Sequence, residues 1–226
     1  MALSFSPRPP SRFPTPARAP QPERPGPAGA PENVWGRAAG AERLGRMTET
    51  IRTLHTSLLT PVELTAIRSL LDDAFDGDFS DEDWDHGLGG MHTLVHDAGG
   101  ELVAHGSVIM RRVTHGGRSG RSYRIGYVEA LAVRADRRRQ GLGGRVMDAL
   151  EEVIGRAYEF GALSASDEGA ALYRSRGWRL WEGRIQGLGP DGVVSFPEEE
   201  GSTFVLGEAP DPAGALAFDW RDGDVL

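Results

Sequence analysis

The residues best suited to chemistry lie in one stretch, Glu129-Ala-Leu-Ala-Val133 followed by Arg138-Arg-Gln-Gly-Leu-Gly-Gly144. An aliphatic and β-branched strand, Tyr127 to Val133, feeds an Arg-rich turn, and a long amphipathic helix begins on the glycines. The first N–H groups of a helix lack partners and sit at the positive end of its dipole, so strand, Gly-rich turn and helix together make an anion cradle. Residue types narrow the anion. A P-loop of the kinase type requires Gly-Lys-Ser/Thr, and the chain contains no lysine. A dinucleotide fingerprint would read Gly141-x-Gly143-x-x-Gly, but its last position is Val146. What remains is Arg138-x-x-Gly141-x-Gly143, a cradle of another kind or else a plain tight turn.

Other residues bear on the same question. Glu129 precedes Leu131 and Val133 by two and four positions, so strand alternation places the three on one face. A carboxylate among Val128, Ala130 and Leu131 is costly without a partner or a task. It is either paired to a nearby arginine or acts as a base. Tyr173, in Leu172-Tyr-Arg-Ser-Arg-Gly-Trp178, reads by itself as a core or surface tyrosine. Asp78 to Asp85 reads as a capped, solvated helix start, and Glu198 to Glu200 as a solvated loop. His92 and His96 face the same way on a strand, with His105 nearby. Without a His-Glu-x-x-His motif or any cysteine, no metal site is expected.

The elements that must position these groups are legible in order. Ile51 to Thr56 reads as a strand. Thr60-Pro-Val-Glu63 is a capping box that opens a helix with Leu64, Ile67, Leu70, Leu71 and Phe75 at helical spacing. Ser80 caps a second, short helix. Met91 to His96 and Leu102 to Val113 alternate as two strands joined by the turn Asp97-Ala-Gly-Gly100. After the strand ending at Val133, the long helix is expected to bury Leu142, Val146, Leu150, Val153, Ala157 and Phe160. Gly161 to Ser164 is a short strand, Asp167 is placed to cap a helix ending on Gly177, and Trp178 to Trp181 and Thr203 to Leu206 are strands. The order β-α-α-β-β-β-α-β-α-β-β implies an α/β (α+β) fold, a mixed central sheet flanked by helices on both faces.

Composition sets the outer bounds. Residues 1–46 hold 10 of the 15 prolines, with 7 arginines against 3 acids and no hydrophobic periodicity, and are expected to be disordered. Met47 begins the ordered pattern and is a candidate true start. A targeting peptide is the competing reading, but the segment lacks an apolar h-region and any amphipathic run. Residues 47–226 form the expected domain, with 18 arginines and 30 acids, a net charge of −12. Such a domain repels nucleic acid and anionic membranes and attracts polycations; acidity that serves only solubility is the plainer reading. No run approaches the roughly 20 apolar residues of a membrane span, so a cytoplasmic location is expected.

The loop Arg138-x-x-Gly141-x-Gly143 between strand and helix, with the element order above, resembles the GNAT acetyltransferase superfamily, whose loop grips the pyrophosphate of coenzyme A. The resemblance implies acetyl-CoA bound by Leu131, Ala132, Val133, Arg138, Arg139, Gln140, Gly141, Leu142 and Gly143. It also implies a strand that splays from its neighbour so that the main chain at 131–133 polarises the thioester. Leu-Tyr-x-x-x-Gly-Trp is where that superfamily carries the tyrosine that protonates the leaving thiolate, which would be Tyr173. Glu129 would be the base, directly or through water.

Longer phrases narrow the likeness. Gly77-Asp-Phe-Ser-Asp-Glu-Asp-Trp84, Leu88-Gly-Gly-Met-His92, Gly126-Tyr-Val-Glu129, Gly161-Ala-Leu-Ser164, Tyr173-Arg-Ser-Arg-Gly-Trp178 and Asp219-Trp-Arg-Asp-Gly-Asp-Val225 look like the aminoglycoside 2'-N-acetyltransferases of mycobacteria and relatives. The resemblance spans nearly everything from Met47 onward. It implies an aminoglycoside pocket lined by Asp78, Asp83, Glu129, Ala130, Ser164, Glu198, Glu199, Asp224 and the carboxylate of Leu226, with aminoglycoside resistance as the outcome and a homodimer as the expected assembly. A ring of carboxylates suits a substrate with several ammonium groups. Two departures bear on drug preference: Leu226 stands where the family carries tryptophan, and glutamates occupy 198 and 199 where aspartates are expected. Acetylation of another cationic amine, and a non-catalytic aminoglycoside binder, are the rival readings.

Overall fold

The computed structural model describes residues 49–117, 120–223 and 225–226. The segment expected to be disordered, residues 1–46, and the pocket candidate Asp224 lie outside them. Ten strands form one mixed sheet: β1 (Thr50–His55), β2 (Met91–His96), β3 (Leu102–His115), β4 (Arg121–Val133), β5 (Phe160–Ser164), β6 (Arg179–Leu180), β7 (Ile185–Gly189), β8 (Gly192–Ser195), β9 (Thr203–Gly207) and β10 (Leu216–Asp219). Four helices cover it: α1 (Pro61–Ala74), α2 (Asp81–Gly87), α3 (Leu142–Ala157) and α4 (Ala170–Ser175).

Local chemistry explains the helix starts. Thr60 and Glu63 form a reciprocal capping box with Pro61 at the first helical position, and Ser80 and Asp83 form another. The sheet then separates two apolar layers. Ile67, Leu70 and Leu71 of α1 pack with Leu94 and Ala132, while Val146, Met147, Leu150 and Ile154 of α3 pack with Val95, Val103 and Val128. Leu94 and Val95 are adjacent on one strand, so the two helices cover opposite faces.

The chain departs from the expected pattern in four places. In α3, the buried ridge is Leu142, Val146, Leu150 and Ile154 with Met147, whereas Ala157 is exposed and Phe160 belongs to β5. Asp167 caps nothing: α4 starts after Gly169, and the carbonyl of Ser166 takes the N–H groups of Gly169 and Ala170. Strands β7, β8 and β10 were not anticipated, although Pro190-Asp-Gly192 between them carries turn chemistry.

The fourth departure reshapes the site. Between β3 and β4 the register shifts: Ser107 pairs Glu129 and His105 pairs Ala132, so Gly106 alone opposes Ala130 and Leu131. That is a β-bulge on β4, with Ala130 at φ 52. The extra residue resets the alternation. Val128, Leu131 and Val133 share the α3 layer, while Ala130 and Ala132 share the α1 layer. Glu129 therefore does not lie on the face of Leu131 and Val133, as unbroken alternation requires.

Candidate active site

Strands β4 and β5 run parallel but pair only at Gly126 with Gly161 and Tyr127 with Ala162. Beyond that point β4 continues to Val133 paired with β3 but not with β5, and the gap on its β5 side is the candidate site. Two neighbouring cavities open there.

The first, about 450 Å³, is lined by Leu131, Ala132, Val133, Arg138, Arg139, Gly141, Leu142 and Gly143, with Gly169 and Leu172 of the facing loop and helix. Gly141 adopts φ 80, and a Cβ there would meet nothing within 4 Å. No side chain caps α3, and its first recorded backbone bond is from Arg145 to Gly141. The leading N–H groups of α3 are thus directed at the cavity mouth beside two arginines, which suits a phosphate-bearing ligand. Arg138 also donates from Nε to the Val133 carbonyl at 3.2 Å, tying the turn to the strand end. Gln140 is not part of this lining; its amide donates to the Asp136 carbonyl.

The second cavity, about 310 Å³, brings together Asp78, Asp83, Glu129, Ala130, Ser164, Tyr173 and Leu226, and it shares Leu131 with the first. Its lining combines these carboxylates with the aromatic rings of Phe75, Phe79 and Tyr127. The Ser164 hydroxyl donates to Glu199 Oε2 at 2.6 Å, and Ser202 donates to the same oxygen at 2.8 Å, fixing that carboxylate against the rim. Glu198 is exposed on the same turn, and neither it nor Glu199 lines either cavity. Tyr173 is 7% exposed, with its ring against Trp178 and Phe204, and burial pushes its hydroxyl up to about 12. It remains a proton donor throughout the neutral range.

Sequence reasoning missed the arginines behind this wall. Arg221 Nη1 lies 2.6 Å from Glu129 Oε1, and its Nη2 donates to the Val225 carbonyl. Arg111, 1% exposed, donates to the Asp219 carboxylate and carbonyl and, at 2.6 Å, to the Val225 carbonyl. It lies over the rings of Tyr127 and Phe218. These bonds carry the chain end, Leu226, into the second cavity. The Tyr127 hydroxyl is buried without a hydrogen-bond partner among the described residues, and burial raises its pKa. Arg221 appears in a phrase that resembles the aminoglycoside family, but its side chain reaches Glu129 only through the fold.

The histidines His92 and His105 meet, but each ring nitrogen is engaged within the protein. His92 Nδ1 lies 3.0 Å from His105 Nε2, His92 Nε2 lies 2.7 Å from Thr56 Oγ1, and His105 Nδ1 lies 3.0 Å from the Ala130 carbonyl. Among the described residues no group of three or more His, Asp and Glu side chains is arranged to hold a metal ion.

The Acetyltransferase (GNAT) family model matches residues 64–178. The chain is 45% identical over 187 residues to the aminoglycoside 2'-N-acetyltransferase of Mycolicibacterium fortuitum, covering 80% of this chain and 94% of that protein. Among solved structures it resembles Escherichia coli ElaA, with TM-score 0.50 and 18% identity, over 71% of this chain and all of that one. It also resembles the GNAT family N-acetyltransferase YhbS of Escherichia coli in complex with CoA, with TM-score 0.50 and 19% identity, over 76% and 90% of the two chains. The two structural likenesses speak to the fold.

Proposed function

This chain belongs to the GNAT acetyltransferase family and, within it, to the aminoglycoside 2'-N-acetyltransferases, and on that premise we propose that it transfers the acetyl group of acetyl-CoA to the 2'-amine of an aminoglycoside. The observation that carries the reading is the junction at Leu131, where a cavity with a helix N-terminus and two arginines meets a cavity lined by carboxylates. An anionic nucleotide suits the first and a polycation the second.

In this reading Arg138 to Gly143 hold the pyrophosphate, and the main chain of Leu131 to Val133 holds the pantetheine and the thioester. Asp78, Asp83, Ser164, Glu199 and Leu226 frame the pocket that orients the ammonium groups of the drug. The resemblance adds Asp224 and Glu198, the latter through reach from the rim. Glu129 takes a proton from the attacking amine through water. A C–N bond forms, the C–S bond breaks, and Tyr173 delivers its proton to sulfur, so that one thiol and one amide result. With no cysteine to carry the acyl group, transfer is direct within a ternary complex. No metal takes part. The same reading makes the protein a cytoplasmic resistance enzyme. We place a homodimer contact on the β7–β8 hairpin, where Leu188, Val193 and Val194 are exposed beside an open sheet edge.

Thiol release from acetyl-CoA with gentamicin or tobramycin, which carry a 2'-amine, against kanamycin A, which carries a 2'-hydroxyl, tests the function. Turnover with the first two alone supports it. Turnover with all three removes the 2' assignment, and tight binding without turnover makes the protein a binder.

A further inference from the structure

The Ala130 bulge is held by hydrogen bonds from the neighbouring strand. An alanine in the left-handed region is strained relative to ordinary backbone, because its Cβ crowds the following carbonyl oxygen, so something must hold it there. The carbonyls on both sides of the bulge are taken by side chains of β3: Ser107 Oγ donates to Glu129 O at 3.3 Å, and His105 Nδ1 donates to Ala130 O at 3.0 Å. A carbonyl can only accept, so His105 carries its proton on Nδ1 and its Nε2 is an acceptor. His92 Nδ1 must then donate to that acceptor, which leaves His92 Nε2 to accept from Thr56 Oγ1, whose one hydroxyl proton goes to this nearer acceptor at 2.7 Å rather than to the Gly90 carbonyl at 3.2 Å. The Thr56 oxygen in turn accepts from Gly89 N–H at 2.9 Å. One fixed end thus sets the tautomers of both rings, which are each 1% exposed.

The peptide between Ala130 and Leu131 has its carbonyl turned toward His105, so the Leu131 N–H points the opposite way. Leu131 lines both cavities, as do Phe75 and Ser166, and its side chain packs where Gly106 has none. A hydrogen bond accepted at an amide oxygen also polarises the same amide and strengthens its N–H as a donor. We propose that His105, backed by His92 and Thr56, is a positioning residue for acetyl transfer: it locks the Ala130–Leu131 peptide and aims its N–H at the oxygen of the acetyl thioester. This role rests on the transfer chemistry of the site and not on which amine is the acceptor.

Three variants test it. His105→Phe fills the space but donates nothing, His105→Asn keeps a donor where Nδ1 stood, and Ala130→Gly removes the steric cost of the left-handed residue. In the ligand-free protein, the amide resonance of Leu131 is expected to move upfield in His105→Phe and to stay near its original position in His105→Asn. Thiol release from acetyl-CoA is measured with tobramycin and, without acceptor, as slow hydrolysis. The phenylalanine variant should lose kcat on the order of tenfold with the KM for acetyl-CoA within about twofold, a fraction of the loss for deleting an oxyanion donor. His105→Asn should recover most of the rate, and so should His105→Phe combined with Ala130→Gly. Equal kcat in the phenylalanine and asparagine variants, whether intact or reduced in step with the melting temperature, would overturn the assignment. If wild type ignores tobramycin but hydrolysis follows the variant order, the acceptor reading fails and the role of His105 stands.

Discussion

Arg221 and Glu129 are 92 positions apart in sequence and meet at 2.6 Å, and both are largely shielded from solvent. The contact engages one carboxylate oxygen, Oε1, of a glutamate that lines the acidic cavity. Arg221 therefore both neutralises Glu129 and sets its orientation, while its second donor group reaches the chain end at Val225. If Glu129 is the base, Arg221→Met should lower kcat for tobramycin by roughly tenfold, less than the loss of about 10²–10⁴-fold from removing a general base outright. Glu129→Gln should lower it further. The decisive measurement is the double-mutant cycle: the Arg221 effect should vanish in the Glu129→Gln background, because it acts through that side chain. Additive losses would make Arg221 an independent contributor, and a faster Arg221→Met enzyme would mark it as a competitor of the substrate ammonium.

Tyr173 can be separated from the packing that holds it. Its ring fills the core between Trp178 and Phe204, and phenylalanine preserves that contact while removing the proton. Tyr173→Phe should reduce turnover by about 10²–10⁴-fold if proton delivery to sulfur limits the rate, with the KM for acetyl-CoA little changed. Stopped-flow single turnover reads the chemical step directly, and an unchanged rate there would remove Tyr173 from the mechanism.

Much of this arrangement was written locally in the chain. The two capping boxes need only residues three apart, and the Gly141 turn announces itself by a strand before and a helix after. Their physics is short-range, so the sequence alone places them. The bulge is different. Nothing in Glu129-Ala-Leu-Ala-Val133 departs from strand alternation, and Ala130 turns left-handed only because β3 supplies Gly106 opposite and His105 to hold the carbonyl. The same limit hid Arg111, whose partners Asp219 and Val225 lie 108 and 114 positions away. Groups that are joined only by folding leave no periodic trace.

The buried histidine pair makes the fold sensitive to acid. Burial holds His92 at about 4, with His55 nearby adding to the effect, and burial, with the neighbouring His92, holds His105 at about 3. Both folded values lie below the ordinary 6.5, so the neutral rings favour the fold fully above pH 6.5. That contribution is lost as the pH falls from 6.5 through the folded values, because the unfolded chain takes up the protons first. Between pH 7.5 and 5 the loss should be on the order of 2 kcal/mol for each ring. Urea unfolding at the two pH values checks this, with the His92→Asn, His105→Asn double variant as control. The control should lose clearly less stability over the same interval; equal losses would place the acid sensitivity elsewhere.

Arg111 governs how the chain end reaches the cavity. Its guanidinium divides three donors among the Asp219 carboxylate, the Asp219 carbonyl and the Val225 carbonyl, a geometry no lysine reproduces. Removing it would take the short donor from the Asp219 carbonyl, leave the Val225 carbonyl to Arg221 alone and the Asp219 carboxylate to the Arg112 N–H, while Tyr127 and Phe218 lost the cation beside their rings. Breaking a fully buried pair costs about 3–5 kcal/mol; here the Asp219 side chain is 41% exposed, so about 2–3 kcal/mol is expected for Arg111→Leu. The kinetic consequence should be selective. Leu226 lines the acceptor cavity and is absent from the lining of the other, so loosening the tail should raise the KM for tobramycin several-fold and leave that for acetyl-CoA nearly unchanged. Arg111→Lys should behave like Arg111→Leu in the KM for tobramycin while losing less stability. A parallel rise of both KM values would instead mean that Arg111 supports the sheet beneath both cavities rather than the tail.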